Sequence, residues 1–398
     1  MRFSKRGLTA TAFLIAYLAV SARGATNYVW AGGSHTPPYS TWGTAATSIH
    51  AAVNFACTNY PAYDTVVITN GTYSITNQIE VTNAIVVRSF EGGLAGAEKT
   101  IVQRSAVGGT PNTRVFYMTH AQAVLEGLTI RNGYAQSAGT YPADRQGSGI
   151  WMSGGALRNC VIREQVVNGN NWKGSGIYIT GGMVSNCVVR NNTTEGSSGA
   201  WGGGLYVSGS NTLVTHSVIA SNGALRSNDG GGVFLNGGAK LRNSVVRANT
   251  AGRNGGGVYL TGSGTLAESC TIVGNASTNG VGGGVYLTDG SVSNSIVYFN
   301  TAPTDPNYAG TNTAIAYSCT APLVANTGNL AADPLFANPG LQDYRLMKSS
   351  PCLDKGITLP WAVSGTDLGG GPRFLNRAVD MGAYETLGPY RGTLFVVR

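Results

Sequence analysis

Side chains that could carry out catalysis are scattered through the middle of this 398-residue chain. A calcium ion needs six to eight oxygen ligands, and a glycoside hydrolase needs two carboxylates about 5–10 Å apart. The spacing of the acids brings no such group together, because they do not recur at one position of a repeat. Glu195 and Asp229, in glycine-rich loops near Arg226, are the best candidates for a catalytic cleft. The acids of this region are Asp144, Glu164, Glu195, Asp229, Glu268, Asp289 and Asp305.

The densest group of acids and bases lies near the C terminus. It could form a calcium or sugar site, but ion pairs and turn caps that fix a loop-rich terminal cap are the simpler interpretation. The four histidines are scattered and do not indicate a metal site. We therefore expect no cofactor, with calcium as the ion to consider if the protein is a lyase. The C-terminal group consists of Asp343, Arg345, Asp354, Asp367, Arg373, Asp380 and Glu385.

One glycine-rich phrase recurs six times between residues 147 and 290, and it determines how these side chains would be positioned. A fixed period of 25 to 28 residues indicates a repeat architecture, in which each coil buries its apolar face against its neighbours. Short runs of alternating apolar and polar residues within each coil predict strands. The aliphatic position of the phrase falls at Ile150, Ile177, Leu205, Val233, Val258 and Val285.

A column of amides ends a second repeated phrase. Asn tolerates the left-handed backbone that a tight corner requires, and amides stacked from coil to coil can also hydrogen-bond along the axis. Both roles are structural, so we do not expect these amides to be catalytic. Their repetition predicts at least seven coils, a rod of roughly 34 Å at about 4.8 Å per coil. The column is Asn132, Gln165, Asn192, Asn222, Asn249, Asn275 and Asn300.

An aromatic column follows the repeated aliphatic position. If Ile150 and Met152 point into the core, alternation along the strand sends Trp151 outward, and the same holds in every coil. Such a strip could stabilise the stacked strands, lie under a loop, or offer exposed flat rings to sugars or a protein partner. The candidate ligand-binding residues are Trp151, Tyr178, Tyr206, Phe234, Tyr259 and Tyr286.

Residues 1–25 are predicted to be a secretory signal. The basic start MRFSKR precedes the apolar stretch 8–20, which is too short to span a bilayer, and small residues follow. No other segment resembles a membrane helix, so we expect no transmembrane segment in the mature chain. The signal predicts a protein that is secreted or located at the bacterial outer surface or in the periplasm.

The rest of the chain is predicted to form a solenoid with a cover at each end. Ile49, Ala52, Val53 and Ala56 fall on one face of a short helix that Thr47 or Ser48 would cap. Such a helix would cover the open end of the first coil. We assign residues 26–318 to the solenoid with its N-terminal cap, and residues 319–398 to a C-terminal capping module.

Composition limits the classes of partner. The formal charge of +8 is small for so long a chain, and no run of Lys or Arg supports nucleic-acid binding. Cys160 and Cys187 occupy one slot in adjacent coils, where the strand spacing alone would permit a disulfide. That slot continues mostly as serine, so it requires a small inward side chain, and we predict free buried thiols. The pairing of the other cysteines and the oligomeric state stay open.

The repeated small-x-aliphatic strand ending in Asn, followed by GGG-aliphatic-aromatic, resembles the right-handed parallel β-helix proteins of the pectate-lyase-like group. It is also similar to the repeats of bacterial polymorphic outer-membrane proteins. The resemblance implies an all-β, right-handed parallel β-helix. The C-terminal part resembles the choice-of-anchor module of exported bacterial proteins. The matching segments are 333–336, 343–346, 350–356, 367–373 and 379–385.

Three functions are consistent with these features. The first is an exported or surface-associated, non-catalytic protein that presents a long face to polysaccharide or an envelope component. The second, implied by the resemblance, is a polysaccharide lyase or glycoside hydrolase related to pectate lyase. The third is a structural adhesin or passenger segment whose aromatic strip is covered.

Overall fold

The computed structural model describes residues 24–105, 113–136, 146–197, 199–311, 314–375 and 378–386. The predicted signal therefore lies almost entirely outside the described residues, as does Asp144. Short parallel strands stack coil on coil into long sheets that run along one axis. The prediction of an all-β parallel β-helix with at least seven coils is confirmed.

Sheets A and B form two adjoining sides of the solenoid. Sheet A contains Ala25–Val29, Tyr63–Ile68, Val86–Ser89, Val124–Glu126, Ala156–Arg158, Gly182–Ser185, Thr212–Thr215, Lys240–Arg242, Leu266–Glu268, Ser291–Ser293 and Ile315–Ala316. Sheet B contains Gly71–Ile75, Thr100–Arg104, Thr129–Arg131, Val161–Arg163, Val188–Arg190, Val218–Ala220, Val245–Arg247, Thr271–Val273, Ile296–Tyr298 and Cys319–Thr320.

Sheet C forms the third side of the solenoid, and the shorter sheet D adds a fourth strand to the middle coils. Sheet C contains Ile79–Val81, Phe116–Met118, Ile150–Met152, Ile177–Ile179, Leu205–Ser208, Val233–Asn236, Val258–Leu260, Val285–Leu287 and Tyr308–Gly310. Sheet D contains Tyr134–Gln136, Val166–Asn168, Thr193–Thr194, Gly223–Ala224, Thr250–Ala251 and Ala276–Ser277. The inward residues of sheet C, such as Ile150 and Met152, are buried in the main core, whereas Ala135 and Val167 of sheet D form a small separate cluster with Trp172.

The amides run along the corner between sheets B and D as a buried ladder. Asn192 donates from Nδ2 to Oδ1 of Asn222 at 2.9 Å, and the same bond joins each following pair of amides up to Asn307. The axial hydrogen-bonding prediction is therefore confirmed. The predicted left-handed backbone is present at Asn132, but at the six later amides of the predicted column it falls one residue earlier, for example at Asn191 and Ser221.

Asn132 does not belong to this ladder. Sheet B pairs Arg131 with Arg163, which places Asn132 beside Glu164 and leaves Gly133 beside Gln165. Gln165 fills that gap by accepting a hydrogen bond from the Gly133 amide at 2.6 Å. The longer side chain thus replaces the missing amide at the N-terminal end of the ladder.

The helix α1, Ile49–Thr58, packs against the first coils through the four apolar residues predicted to form its buried face. Ser48 occupies the N-cap position, but its side chain makes no capping hydrogen bond among the described residues. A second helix, α2, spans Gly93–Lys99 and packs on the outer side of sheet B. The thiols of Cys160 and Cys187 are free and buried, as predicted.

The C-terminal region contacts both the end and the side of the solenoid. Cys319–Thr320 still pairs with sheet B, so the coils continue past the predicted boundary at residue 318. Residues 321–332 stack on this last coil, where Val324 joins the core and Asn329 donates to the Ile315 carbonyl at 2.8 Å.

The C-terminal module, defined here as residues 333–386, packs instead along the side. Its Ala383 amide donates to Thr271 Oγ1 at 3.0 Å, and its Ile357 carbonyl accepts from Asn294 Nδ2 at 2.8 Å. The predicted loop-rich cap is therefore an end cover followed by a side module. Within the module, Phe336–Asn338 pairs antiparallel with Asp343–Leu346, and short 3-10 turns lie at Pro339–Leu341 and Pro360–Ala362.

Candidate ligand-binding surface

The predicted aromatic column forms a continuous stack on the outer face of sheet C. In-register pairing places Trp151 opposite Tyr178 and Tyr206 opposite Phe234. Neighbouring ring centroids lie 4.6–6.2 Å apart, and the ring planes differ by 6–33°. Tyr117 stacks on Trp151 and extends the column by one coil, although no glycine phrase surrounds it in the sequence.

Flat ring faces are not available along most of this column. Each ring packs face to face against the rings of neighbouring coils, so solvent reaches mainly ring edges and tyrosine hydroxyls. Tyr206 and Phe234 are 4% and 5% exposed, whereas Trp151, Tyr178, Tyr259 and Tyr286 are half-buried. The column lies where the sequence predicts it, but the expectation of exposed flat rings does not hold, because stacking in register uses those faces.

Two side chains from the neighbouring loops cover the centre of the column. Trp201 stacks on Phe234 with centroids 5.1 Å apart and planes 15° apart. The Lys173 ammonium lies 4.8 Å from the ring centres of both Trp201 and Tyr206, a cation–π geometry. The exposed part of the column is therefore divided into an N-terminal stretch around Trp151 and a C-terminal stretch at Tyr259 and Tyr286.

Asp229 is held by an arginine that sequence spacing did not identify. Arg253, on the next coil, donates to both carboxylate oxygens of Asp229, and the Asn254 amide donates to Asp229 Oδ1 at 2.9 Å. The carboxylate is 2% exposed, while the arginine side chain is 52% exposed. Burial, with the charge of Asp229 adding to it, raises the pKa of Tyr259 above its ordinary value.

The three catalytic candidates predicted from the sequence do not contact one another. Among the described residues no hydrogen bond or ion pair joins Glu195, Asp229 and Arg226 to one another. Arg226 is exposed on a left-handed turn, and Glu195 is half-buried in the preceding coil. Since Asp229 is bound to Arg253, it is poorly suited to act as a general acid or base.

The C-terminal acids and bases divide into an exposed pair and a buried cluster. Arg345 binds Asp343 at the surface, with Nη2 2.6 Å from Oδ2. Arg373 is fully buried and donates to the carbonyls of Asp380 and Gly382 at 2.7 and 2.8 Å, with Glu385 3.7 Å away. The pair of Arg345 with Asp343 agrees with the interpretation of ion pairs, whereas Arg373 fixes the module mainly through backbone carbonyls.

The carboxylates of the buried cluster also cap backbone amides. Asp380 accepts from the amides of Asp354 and Thr386 at 2.8 Å, and Asp367 accepts from those of Gly371 and Glu385 at 2.8 Å. Burial raises the pKa of Asp380 to about 6 and that of Glu385 to about 9, the latter with a further contribution from Asp380. The cluster is the polar centre of the module.

Other types of site can be located only where the structure describes the chain. In those residues no group of three or more His, Cys, Asp or Glu is arranged to hold a metal ion. A cavity of about 380 Å³ opens near the N-terminal end beside Trp30, His50 and Tyr73, and no acid is among its described lining residues. None of the helices in the described segments is long and apolar enough to cross a membrane.

Comparison with known proteins supports the fold. No curated protein sequence matches this chain significantly. The crystal structure of pectate lyase Pel9A is similar, with a TM-score of 0.53, 14% identity, and coverage of 92% of this chain and 97% of that chain. At this identity the likeness concerns the fold alone. Residues 115–321 match the family described as "Right handed beta helix region". This match spans more than half of the sequence, and the chain belongs to the right-handed β-helix family.

Proposed function

We propose that this protein is an exported, non-catalytic β-helix that holds polysaccharide along the outer face of sheet C. The observation that carries the proposal is the stacked aromatic column, which offers ring edges in two stretches, around Trp151 and at Tyr259 and Tyr286, beside Lys173 and Arg253. A linear polymer can make the same contact repeatedly on such a face, since the coils are spaced about 4.8 Å apart. Proteins of the cell envelope or the extracellular space meet such polymers.

The geometry favours an edge-on mode of binding. Tyrosine combines an apolar ring with a hydroxyl that can donate or accept, and sugar hydroxyls require partners of this kind. Tyr178, Tyr259 and Tyr286 are half-buried members of the column, so part of each ring remains accessible. Arg253 lies beside Tyr259 and Tyr286, close enough for its charge to interact with both hydroxyls. We infer that hydroxyls and ring edges, rather than stacked ring faces, contact the ligand.

The contacts of Asp229 support the non-catalytic part of the proposal. A glycosidase or lyase needs a carboxylate or base that is free to take a proton. Asp229, the most buried acid beside the column, accepts hydrogen bonds from Arg253 and the Asn254 amide instead. Its arrangement is that of a structural ion pair.

Binding to insoluble polysaccharides tests the proposal. Purified mature protein should be depleted from solution by at least one of cellulose, chitin and cross-linked polygalacturonate. The triple variant Tyr178→Ser/Tyr259→Ser/Tyr286→Ser should bind at least ten-fold more weakly. The corresponding triple Phe variant keeps the stack but removes the hydroxyls, so an intermediate loss would assign part of the binding to hydrogen bonds.

The control variant is Tyr60→Ser, because Tyr60 is 38% exposed and lies outside the column. It should bind like the wild type. Unchanged binding by the triple Ser variant would exclude sheet C as the ligand-binding face. Release of unsaturated sugar ends absorbing in the near ultraviolet, with or without calcium, would show that the protein is a lyase and overturn the non-catalytic part.

A further inference from the structure

Three arginines lie side by side on the outer face of sheet B. The register of this sheet places Arg163 between Arg131 and Arg190 on three consecutive strands. Ala220 occupies the next position, and Arg247 the one after it. We call Arg131, Arg163 and Arg190 the arginine column. It lies on a different side of the solenoid from the aromatic column.

Like charges directly opposite on neighbouring strands destabilise a sheet, so this arrangement is costly for folding. The same solenoid avoids it on sheet A, where Glu126 lies between Arg88 and Arg158. Farther along sheet A, Arg242 pairs with Glu268, with Nε 2.6 Å from Oε2. Charged side chains therefore alternate in sign on the outer face of sheet A, whereas positive charges repeat on the outer face of sheet B. A stability requirement does not explain the repetition.

The column keeps most of its positive charge. Arg163 is paired with the adjacent Glu164, while Arg131 donates from Nε to the neutral amide oxygen of Gln103 at 2.6 Å. Arg190 forms no hydrogen bond or salt bridge with any residue in the described part of the chain. Only one carboxylate, that of Glu164, thus balances the charge of the three guanidinium groups. All three arginine side chains remain partly accessible.

Neighbouring elements give this face the shape of a strip. On the N-terminal side α2 packs against the sheet B strands from Thr100–Arg104 to Val161–Arg163, where Thr129 Oγ1 donates to the Ala97 carbonyl at 2.6 Å. On the C-terminal side the C-terminal module covers Thr271 and Ile296. Half-buried Val161, Val188 and Val218 lie between these covers, beside the column. A bounded strip of this kind suits a narrow chain better than a flat membrane surface.

We propose that the arginine column binds an extended polyanion, an acidic polysaccharide whose carboxylate or sulfate groups repeat along the chain. Guanidinium groups bind such anions in a planar, two-pronged manner, and the ligand would relieve the repulsion between the arginines. Burial of sugar carbon atoms against the half-buried valines would add an apolar contribution. This site goes beyond the function proposed for sheet C and does not depend on it.

Affinity electrophoresis in gels that contain soluble polygalacturonate or heparin tests the proposal, with neutral dextran as the reference. The wild type should be retarded by the acidic polymers, and the retardation should fall steeply with added salt. The variant Arg131→Gln/Arg163→Gln/Arg190→Gln should bind at least ten-fold more weakly and show a smaller dependence on salt. The Tyr178→Ser/Tyr259→Ser/Tyr286→Ser variant should keep its binding to heparin, which separates this site from sheet C.

The matched control is Arg88→Gln/Arg158→Gln/Lys240→Gln, which removes the same charge from the outer face of sheet A. It should lose less than three-fold in affinity, and thermal melts should show that both triple variants are folded. Equal losses in the two variants would mean that net charge alone attracts the polymer, and would overturn the proposal. Binding to anionic phospholipid vesicles or duplex DNA but not to the acidic polysaccharides would also overturn it.

Discussion

Asn222 donates from Nδ2 both to Oδ1 of Asn249 and to the backbone carbonyl of Val189, each at 2.9 Å. Its own Oδ1 accepts from the backbone amide and side chain of Asn192 on the preceding coil, at 3.1 and 2.9 Å. One buried side chain therefore joins its coil to the coils before and after it. Because the ladder residues are buried, their polar groups depend on these bonds for their partners.

Replacement of Asn222 by Ala should lower the free energy of unfolding by about 2–4 kcal/mol, because buried donors and acceptors on adjacent coils lose their partners. Urea denaturation followed by circular dichroism measures this loss. Asn211→Ala removes an exposed amide outside the ladder and should change stability by about 0.5 kcal/mol or less. Similar losses in the two variants would show that the ladder does not stabilise the coils.

The coils could be predicted from the sequence because every coil requires the same types of side chain at the same positions. Glycine at the corners, aliphatic residues inside and an amide at each B–D turn recur in register. Asn132 is an exception, and it shows that residue spacing in the sequence does not always give the register of the strands. A spacing of five residues placed it in the ladder, whereas the strand pairing shifts it by one position.

Features that depend on contacts between side chains could not be predicted from the sequence in the same way. The pair formed by Asp229 and Arg253 joins residues 24 positions apart, and no repeated phrase marks it. The arginine column is not evident from the sequence, because each arginine resembles an ordinary solvated strand residue and only the strand register aligns them. The position of the C-terminal module follows from contacts such as that between Asn294 and Ile357, which no periodicity predicts.

The ion pair of Arg253 with Asp229 should prove structural. Arg253→Gln leaves a buried carboxylate without its cation, so the free energy of unfolding should fall by about 1–2 kcal/mol, less than for a fully buried pair because the arginine is half exposed. The double variant Asp229→Asn/Arg253→Gln should recover part of this loss. Chemical denaturation of the wild type, both single variants and the double variant gives the coupling energy. A coupling near zero would contradict the interpretation.

The thiols of Cys319 and Cys352 should report detachment of the C-terminal module from the last coil. Both are fully buried, and a hydrogen bond with Cys352, together with burial, raises the pKa of the Cys319 thiol. Alkylation by iodoacetamide requires an accessible thiolate, so Cys57, which is partly exposed, should react first. Mass spectrometry of peptides after timed labelling measures each rate. Labelling of Cys352 as fast as Cys57 in the folded protein would contradict this prediction.

Glu385 should make the stability of the C-terminal module fall as pH rises. Its pKa is raised from 4.5 to about 9, chiefly by burial, so the folded state binds the proton more tightly than the unfolded state does. A raised pKa of this kind gives stability that is complete below about pH 4.5 and is lost as pH rises through about 9. Asp380, with a pKa of about 6, acts in the same direction over a lower range.

Thermal unfolding between pH 5 and pH 9 tests this expectation through Glu385→Gln, which resembles the protonated form. The variant should show a smaller fall in Tm over this range than the wild type, and each kcal/mol retained at pH 9 should raise Tm by about 2 °C. Asp343→Asn is the control, since hydrogen bonding to Arg345 lowers the pKa of Asp343 and confines its contribution to acid pH. If Glu385→Gln steepens the fall instead, the carboxylate is ionised in the folded protein and Arg373 depends on its charge.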